Sequence, residues 1–444
     1  MSAASFLRRL LGRARPGVGQ HTQHLVSLCE ALLGERGEVS GAALAREALA
    51  AWKSLDERGR EEFFSVLARE FAPAPEAVGK AADAYRYDPT PRNLVALQEV
   101  IDSARQELFR RLNMAPGGTE TLVAMRRELL RGLKQHPEWS AIDADLLHLF
   151  RSWFNRGFLR RERIDWRTPA IVLEKLIEYE AVHAVQGWRD LRRRLAADRR
   201  CFAFFHPQLR DEPLIFIEVA LTRGMSAQVQ PLLDVAAPLA DPERADCAIF
   251  YSITNCQEGL RGTSFGNLLI KQVAEDLRRE FPHLKTFATL SPIPGFRRWL
   301  AAPDTRVGLS IGPNAERRHA LLAKIEAPGW HAGDIDEGLQ KLMTRLCAWY
   351  LLNAKQDREP LDPVSRFHLG NGAALERLNW LGDTSESGMA RSAGMMVNYV
   401  YRLEDVERNH ERYFSEHAVV ASRAVQKMAR KSPLAAPAEK QAEA

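Results

Sequence analysis

The hydrophobic period of the chain changes near Arg200. Up to about residue 160, apolar residues recur at steps of three and four, the spacing of one helix face. In "DPTPRNLVALQEVIDSARQELFRRL", Thr90 is placed to cap a helix with Pro91 at its first position, where a missing N–H costs nothing. Leu94, Leu97, Ile101, Ala104, Leu108 and Leu112 then form one stripe. A second helix starts at Thr119, and a third at "SAIDADLLHLFRSWF", with Ser140 and Asp143 in capping-box spacing. Beyond Arg200 the apolar runs shorten. "CFAFFHP" and "LIFIEVAL" read as a strand pair, "CAIFYSIT" and "KTFATLS" as two further strands. The Gly-rich turn and helix "GNLLIKQVAEDLRREF" between the last two make a βαβ unit. Further on, "NGAALERLNWL" reads as helix and "AGMMVNYVYRL" as strand. The expected class is α+β: a helical bundle over residues 1–160, a mixed-sheet domain over 161–430, and a disordered Ala/Pro/Glu-rich tail over 431–444.

This chain of 444 residues is long enough for more than one core. No run of about 18 apolar residues is present, so no membrane-spanning segment is expected. The net charge of +5 is small and dispersed, with neither a basic block nor zinc-finger spacing, which disfavours nucleic acid as a partner. Cys29, Cys201, Cys247, Cys256 and Cys347 include no pair at metal-ligand spacing and read mostly as small buried hydrophobes in a reducing compartment. The start, "MSAASFLRRLLGRARPGVGQHTQHLVSLC", is basic and acid-free. It fits a frayed first helix of a bacterial protein or a short mitochondrial transit peptide, and we favour the former.

Three stretches could carry chemistry. In "SITNCQEGLRGTSFGNLLIKQVAEDL", Gly259, Gly262 and Gly266 precede a helix whose N-terminal N–H groups could hold a phosphate, with Arg261 as a counter-charge. The spacing matches neither a Walker A motif nor a dinucleotide fingerprint, so a plain turn stays open. In "FPHLKTFATLSPIPGFRRWL", Ser291 ends a strand and Pro292 holds it extended, which would fix its hydroxyl; a Ser-Pro turn is the plain alternative. In "PVSRFHLGNGAALERLNWLGD", His368 is read in a loop before a helix, with Asn371 and Gly372 near that helix start. Spacing alone does not choose among His368, His206 and His283.

Taken together, "CFAFFHP", "EPLIFIEVALT", "QEGLRGTSFGNLLIKQV", "EFPHLKTFATLSPIPGF", "FHLGNGAALERLNWLGD" and "GMMVNYVYRLE" resemble the malonyl-CoA decarboxylase family, most strongly from Trp166 to Glu404. The resemblance implies a helical N-terminal domain, an acetyltransferase-like (GNAT) catalytic domain, and release of carbon dioxide from malonyl-CoA to give acetyl-CoA. It implies that Ser291 and His368 are the active-site serine and histidine, with Tyr401 beside the histidine. It also implies that Arg261, Gly262, Thr263, Ser264, Phe265, Gly266 and Asn267 form the CoA-binding loop. Ser264 stands where some members carry glutamate, so a carboxylate role does not transfer there.

Malonyl-CoA has its own β-carbonyl as electron acceptor, so no metal or organic cofactor is expected, coenzyme A being part of the substrate. In this reading Ser291 holds the departing carboxylate and accepts a proton, and Tyr401 orients His368. His368, at an ordinary pKa near 6.5, protonates the α-carbon. An acyl-CoA-dependent acyltransferase and a non-catalytic malonyl-CoA sensor are the alternatives. The resemblance further implies a homotetramer, a dimer of dimers joined through the helical domain, and a bacterial cytoplasm or a mitochondrial matrix as the compartment.

Overall fold

The structure is a computed structural model that describes residue 15 and residues 17–35, 37–263, 269–327, 329–333 and 336–435. Most of the basic start and the end of the tail, residues 1–14 and 436–444, lie outside the described residues. The chain forms two compact units. One gathers residues 1–160 with 204–214 and 255–265; the other gathers 161–203, 215–254 and 266–444. The class is α+β, as the two periods lead one to expect.

The first unit is helical. Trp52, Phe63, Phe64 and Trp139 meet in one aromatic cluster, with Trp52 5.3 Å from Phe64 and Phe64 5.0 Å from Trp139 between ring centroids. Thr90 caps a helix as expected, accepting from the Asn93 N–H, but that helix ends at Ile101. Ser103 then caps a second, Ala104–Asn113, by accepting from the Gln106 N–H. The single stripe read from Leu94 to Leu112 is therefore two faces. Leu108 and Leu112 are buried, whereas Leu94 and Ile101 are exposed, because the helix Pro91–Ile101 pairs with Pro75–Tyr87 in a hairpin with no buried residue. Ser140 caps nothing: the turn Pro137–Trp139 runs straight into the helix Ser140–Trp153, and Asp143 pairs with Arg126 instead.

The second unit is built on a mixed sheet. Its strands are β1 (Arg160–Ile164), β2 (Arg199–Phe205), β3 (Pro213–Thr222), β4 (Cys247–Asn255), β5 (Thr286–Thr289), β6 (Ser291–Pro292), β9 (Ala374–Asn379) and β10 (Met396–Val400), and β7 (Lys355–Gln356) and β8 (Glu359–Pro360) form a separate hairpin. The spatial order is β1-β2-β3-β4-β5-β10-β6, with β9 on β10. β4 and β5 run parallel, with Phe250 opposite Thr289, and the helix Leu269–Glu280 between them completes the expected βαβ unit. Ile249, Tyr251, Ala288, Leu290 and Met396 bury one face of this sheet, so alternation sends Thr289 and Ser291 to the other.

The segment read as helix at "ALERLN" is β9. Ala, Leu, Glu and Arg are strong helix formers, but an antiparallel ladder with β10 on one side and hydrogen bonds linking Leu375 to Val420 and Ser422 on the other hold the segment extended. The same strand explains the placement of His368. It lies on the helix Pro363–Gly370, not in a loop, and Asn371 and Gly372 end that helix instead of starting another. Gly372 takes φ +81°, and a Cβ there would meet the Val406 carbonyl at 2.1 Å, so the sharp exit from helix to β9 requires glycine.

Candidate active site

Two elements bring the reactive side chains together. Ser291 leaves β5 for the short strand β6, where Val397 of β10 pairs with it and fixes its backbone. His368 sits in the last turn of Pro363–Gly370. Asp362 caps that helix through one oxygen, accepting from the Val364 and Ser365 N–H groups at 3.0 Å. Its other oxygen accepts from the Gly295 N–H in the loop after Ser291 and from the Tyr350 hydroxyl, each at 3.4 Å. One buried carboxylate thus ties the histidine's helix to the serine's loop.

The result is a line of side chains. Tyr401 Oη lies 2.9 Å from His368 Nδ1, and His368 Nε2 lies 2.9 Å from Ser291 Oγ. Ser291 Oγ donates to Thr289 Oγ1 at 2.8 Å. Thr289 Oγ1 also accepts the Tyr399 N–H at 3.2 Å. The imidazole stacks on the Tyr399 ring, with centroids 4.6 Å apart. Ser291, His368 and Tyr401 are 5%, 3% and 1% exposed, so the line is nearly dry.

Burial sets the protonation states. Desolvation lowers the His368 pKa to about 3, so the imidazole is neutral at pH 7. That corrects the ordinary value near 6.5 expected from sequence: the ring lies in a pocket that burial alone makes hostile to a charge. Desolvation also pushes the Tyr401 phenol well above its usual value, so it keeps its proton. Because Ser291 gives its own hydrogen to Thr289, the line is completed by Tyr401 donating to Nδ1. Nε2 then carries the ring hydrogen and points it at Ser291. The line therefore runs in one direction, Tyr401 to His368 to Ser291 to Thr289. No imidazole lone pair faces Ser291, so this resting arrangement differs from an activated serine nucleophile, which needs one.

The other two histidines are occupied elsewhere. His206 Nε2 lies 3.1 Å from the Trp153 carbonyl and its Nδ1 accepts the Gln208 N–H at 3.2 Å. His283 Nε2 lies 3.3 Å from the Pro242 carbonyl. The structure thus brings together Ser291, His368 and Tyr401 out of the residues expected from sequence. Of the expected CoA loop it describes Arg261, Gly262 and Thr263; Ser264, Phe265, Gly266 and Asn267 lie outside the described residues. Gly262 takes φ +80°, as a sharp turn demands. Thr289 and Asp362 were missed. Both left a signal: Thr289 is two residues before Ser291 in a strand, hence on the same face, and Asp362-Pro363 repeats the cap-then-proline pattern read correctly at Thr90-Pro91.

Among the described residues no helix is long and apolar enough to cross a membrane, and no group of three or more His, Cys, Asp or Glu side chains is placed to hold a metal ion. Cys29, Cys201, Cys247 and Cys347 are buried.

Residues 71–154 match the malonyl-CoA decarboxylase N-terminal domain, and residues 157–442 match the malonyl-CoA decarboxylase C-terminal domain. A mitochondrial malonyl-CoA decarboxylase of Anser anser anser is 37% identical over 395 residues, covering 83% of this chain and 76% of its own length. The crystal structure of malonyl-CoA decarboxylase from Rhodopseudomonas palustris is 48% identical and superposes with a TM-score of 0.86 over 91% of this chain and 99% of its own. That from Cupriavidus metallidurans is 36% identical, with a TM-score of 0.75 over 92% of this chain and 100% of its own. With both domain models in place and this level of identity along the chain, the protein belongs to the malonyl-CoA decarboxylase family.

Proposed function

We propose that this protein decarboxylates malonyl-CoA to acetyl-CoA and carbon dioxide, using Ser291, His368 and Tyr401 as a proton relay. The observation that carries the reading is the one-way line of hydrogen bonds ending at Ser291, in a chain of this family. Ser291 receives the malonyl carboxylate. Neutral His368 offers that carboxylate no counter-charge, so the dry site favours the uncharged product, carbon dioxide, over the ion. The electron pair left behind enters the thioester as an enolate, and donors held ready for that oxygen stabilise it. Such a carbanion is basic enough to take a proton from a neutral donor. The Ser291 hydroxyl turns from Thr289 to the α-carbon, the His368 Nε2–H replaces its proton, and the Tyr401 hydroxyl replaces that one. The imidazole is neutral before and after. The ring hydrogen now sits on Nδ1; as product leaves, a solvent proton reaches Nε2 and the Nδ1 hydrogen returns to Tyr401, which restores the starting tautomer.

The thioester is the electron sink, so the chemistry calls for no cofactor. The Arg261–Asn267 loop takes the CoA phosphates in this reading. The protein assembles as a homotetramer, a dimer of dimers, through its helical domain; the helical hairpin of Pro75–Tyr87 and Pro91–Ile101, with no buried residue, supports an outward-facing role. A bacterial cytoplasm is the compartment we favour over a mitochondrial matrix, on the structural likeness to the Rhodopseudomonas palustris and Cupriavidus metallidurans proteins over more than nine-tenths of this chain. Purified protein with malonyl-CoA as sole substrate tests the activity. An acyltransferase would need an added acceptor before turning over, and a sensor would bind malonyl-CoA and return it intact.

A further inference from the structure

The helical unit holds a buried arginine that reaches a loop far along the sequence. Arg126, on the helix Gly118–Gly132, is 2% exposed. Its Nε donates to Asp143 Oδ1 at 2.8 Å. Its Nη1 donates to the Gly259 carbonyl at 2.9 Å and to the Arg261 carbonyl at 2.8 Å. The turn it grips, Glu258–Leu260, packs so closely on the same helix that a Cβ at Gly259 would meet the Val123 carbonyl at 2.0 Å. On the outer side Arg131, one turn further along that helix, pairs with Glu258 at 3.0 Å.

We infer that Arg126 is a positioning residue for malonyl-CoA binding: it sets the conformation of the Gly259–Gly262 turn, so that the helical unit shapes the grip on the nucleotide end of CoA. This rests on the reading of the Arg261 loop as the CoA loop. The physics is a matter of peptide orientation. A trans peptide points its C=O and N–H in opposite directions. Holding the Arg261 carbonyl against Arg126 therefore turns the Gly262 N–H away from Arg126, where it can serve as a donor for an anion. It also fixes the Cα from which the exposed Arg261 side chain projects. A guanidinium is suited to this task, because its planar fork serves two carbonyls and a carboxylate at once; a lysine ammonium, as a point charge on a flexible stem, does not hold all three in register. Nothing in this arrangement touches the acyl end of the substrate, so the contribution is to binding shared by ground and transition states.

The test compares two substrates of the full-length protein: malonyl-CoA, and malonyl-pantetheine, which has the same acyl thioester without the nucleotide. Arg126→Met should raise the KM for malonyl-CoA on the order of tenfold or more, with kcat changed by less than about threefold, because a hydrogen bond to a charged group of this kind is worth that much. For malonyl-pantetheine kcat/KM should stay at the wild-type value, an outcome general misfolding would not produce. Asp143→Asn, which keeps an oxygen for the Arg126 Nε and leaves the loop contacts in place, should behave as wild type. If Arg126→Met fails to fold, Gly259→Ala displaces the same turn with Arg126 present and should give the same substrate-dependent loss. Equal losses on both substrates, or an unchanged malonyl-CoA KM in both variants, would overturn the inference. Arg261→Ala separates it from the loop reading. A raised KM there with no effect of Arg126→Met or Gly259→Ala removes the role of Arg126 alone; an unchanged KM in Arg261→Ala removes the loop reading itself.

Discussion

Removing one oxygen from the far end of the relay should nearly stop it. Tyr401→Phe keeps the ring that packs beside His368 and deletes the hydroxyl 2.9 Å from Nδ1. Tyr401 is 1% exposed, so water does not take the hydroxyl's place freely. In the variant one ring nitrogen is left buried without a partner, whichever tautomer forms, at about 1–3 kcal/mol. Nothing then holds the hydrogen on Nε2. The ring can move its proton to Nδ1 and accept from Ser291, which reverses the direction of the line and removes the proton source. The loss in kcat should be about a hundredfold or more, within the range for removing a general acid–base group. KM for malonyl-CoA should change little, since Tyr401 makes no contact with the CoA half in this account. The assay is release of carbon dioxide at saturating malonyl-CoA, with urea unfolding to register the accompanying loss of stability. A folded Tyr401→Phe variant with kcat within about threefold of wild type would refute the directional relay. So would a defect confined to KM.

Three further outcomes follow from the same geometry. His368→Ala and Ser291→Ala should each lose activity by about 10²–10⁴-fold while CoA still binds, by rate assay and calorimetry, and His206→Ala and His283→Ala should stay active; an inactive, folded His206 or His283 variant would overturn the assignment. His368 binds its proton less readily folded, with a pKa lowered to about 3, than unfolded near 6.5, so the unfolded state takes up the extra proton and folding stability falls as pH drops through that window. Urea unfolding between pH 7 and pH 4 should show this loss, up to several kcal/mol, and His368→Gln should flatten it; an equal slope in both proteins would contradict the buried neutral ring. Light scattering should give a particle well above the 50.1 kDa of one chain at micromolar concentration, and a strict monomer would remove the proposed tetramer.

What the sequence made legible, and what it did not, divides along physical lines. The βαβ unit from β4 to β5 could be read because a short apolar run, glycines and a strongly striped helix follow one another locally. Ser291 could be read for the same reason: its proline neighbour dictates its backbone. β9 could not, because "ALERLN" has helix-forming side chains and becomes a strand only through β10, some 20 residues on. His368 was misplaced with it, since a helix expected after the histidine pushed the histidine into a loop. Its protonation state was out of reach as well, because burial by Tyr399 and Tyr401 is a property of the assembled sheet. The break at Asp102–Ser103 was hidden by an apolar spacing that happens to continue across it. Arg126 left no local signal whatever: its partners Gly259 and Arg261 lie more than 130 residues away, and only folding makes them neighbours.

The central claim is that a neutral, buried relay delivers the proton that completes decarboxylation. Its most direct test is to give purified protein malonyl-CoA alone, without added metal, cofactor or acceptor, and to measure carbon dioxide, acetyl-CoA, free CoA and malonate together. The account predicts carbon dioxide and acetyl-CoA in equal amounts, no free CoA or malonate, and loss of both products in a folded His368→Ala variant. Free CoA and malonate in place of acetyl-CoA would mean that Ser291 acts as a nucleophile on the thioester, and undiminished carbon dioxide release by His368→Ala would mean that the relay is not the proton source.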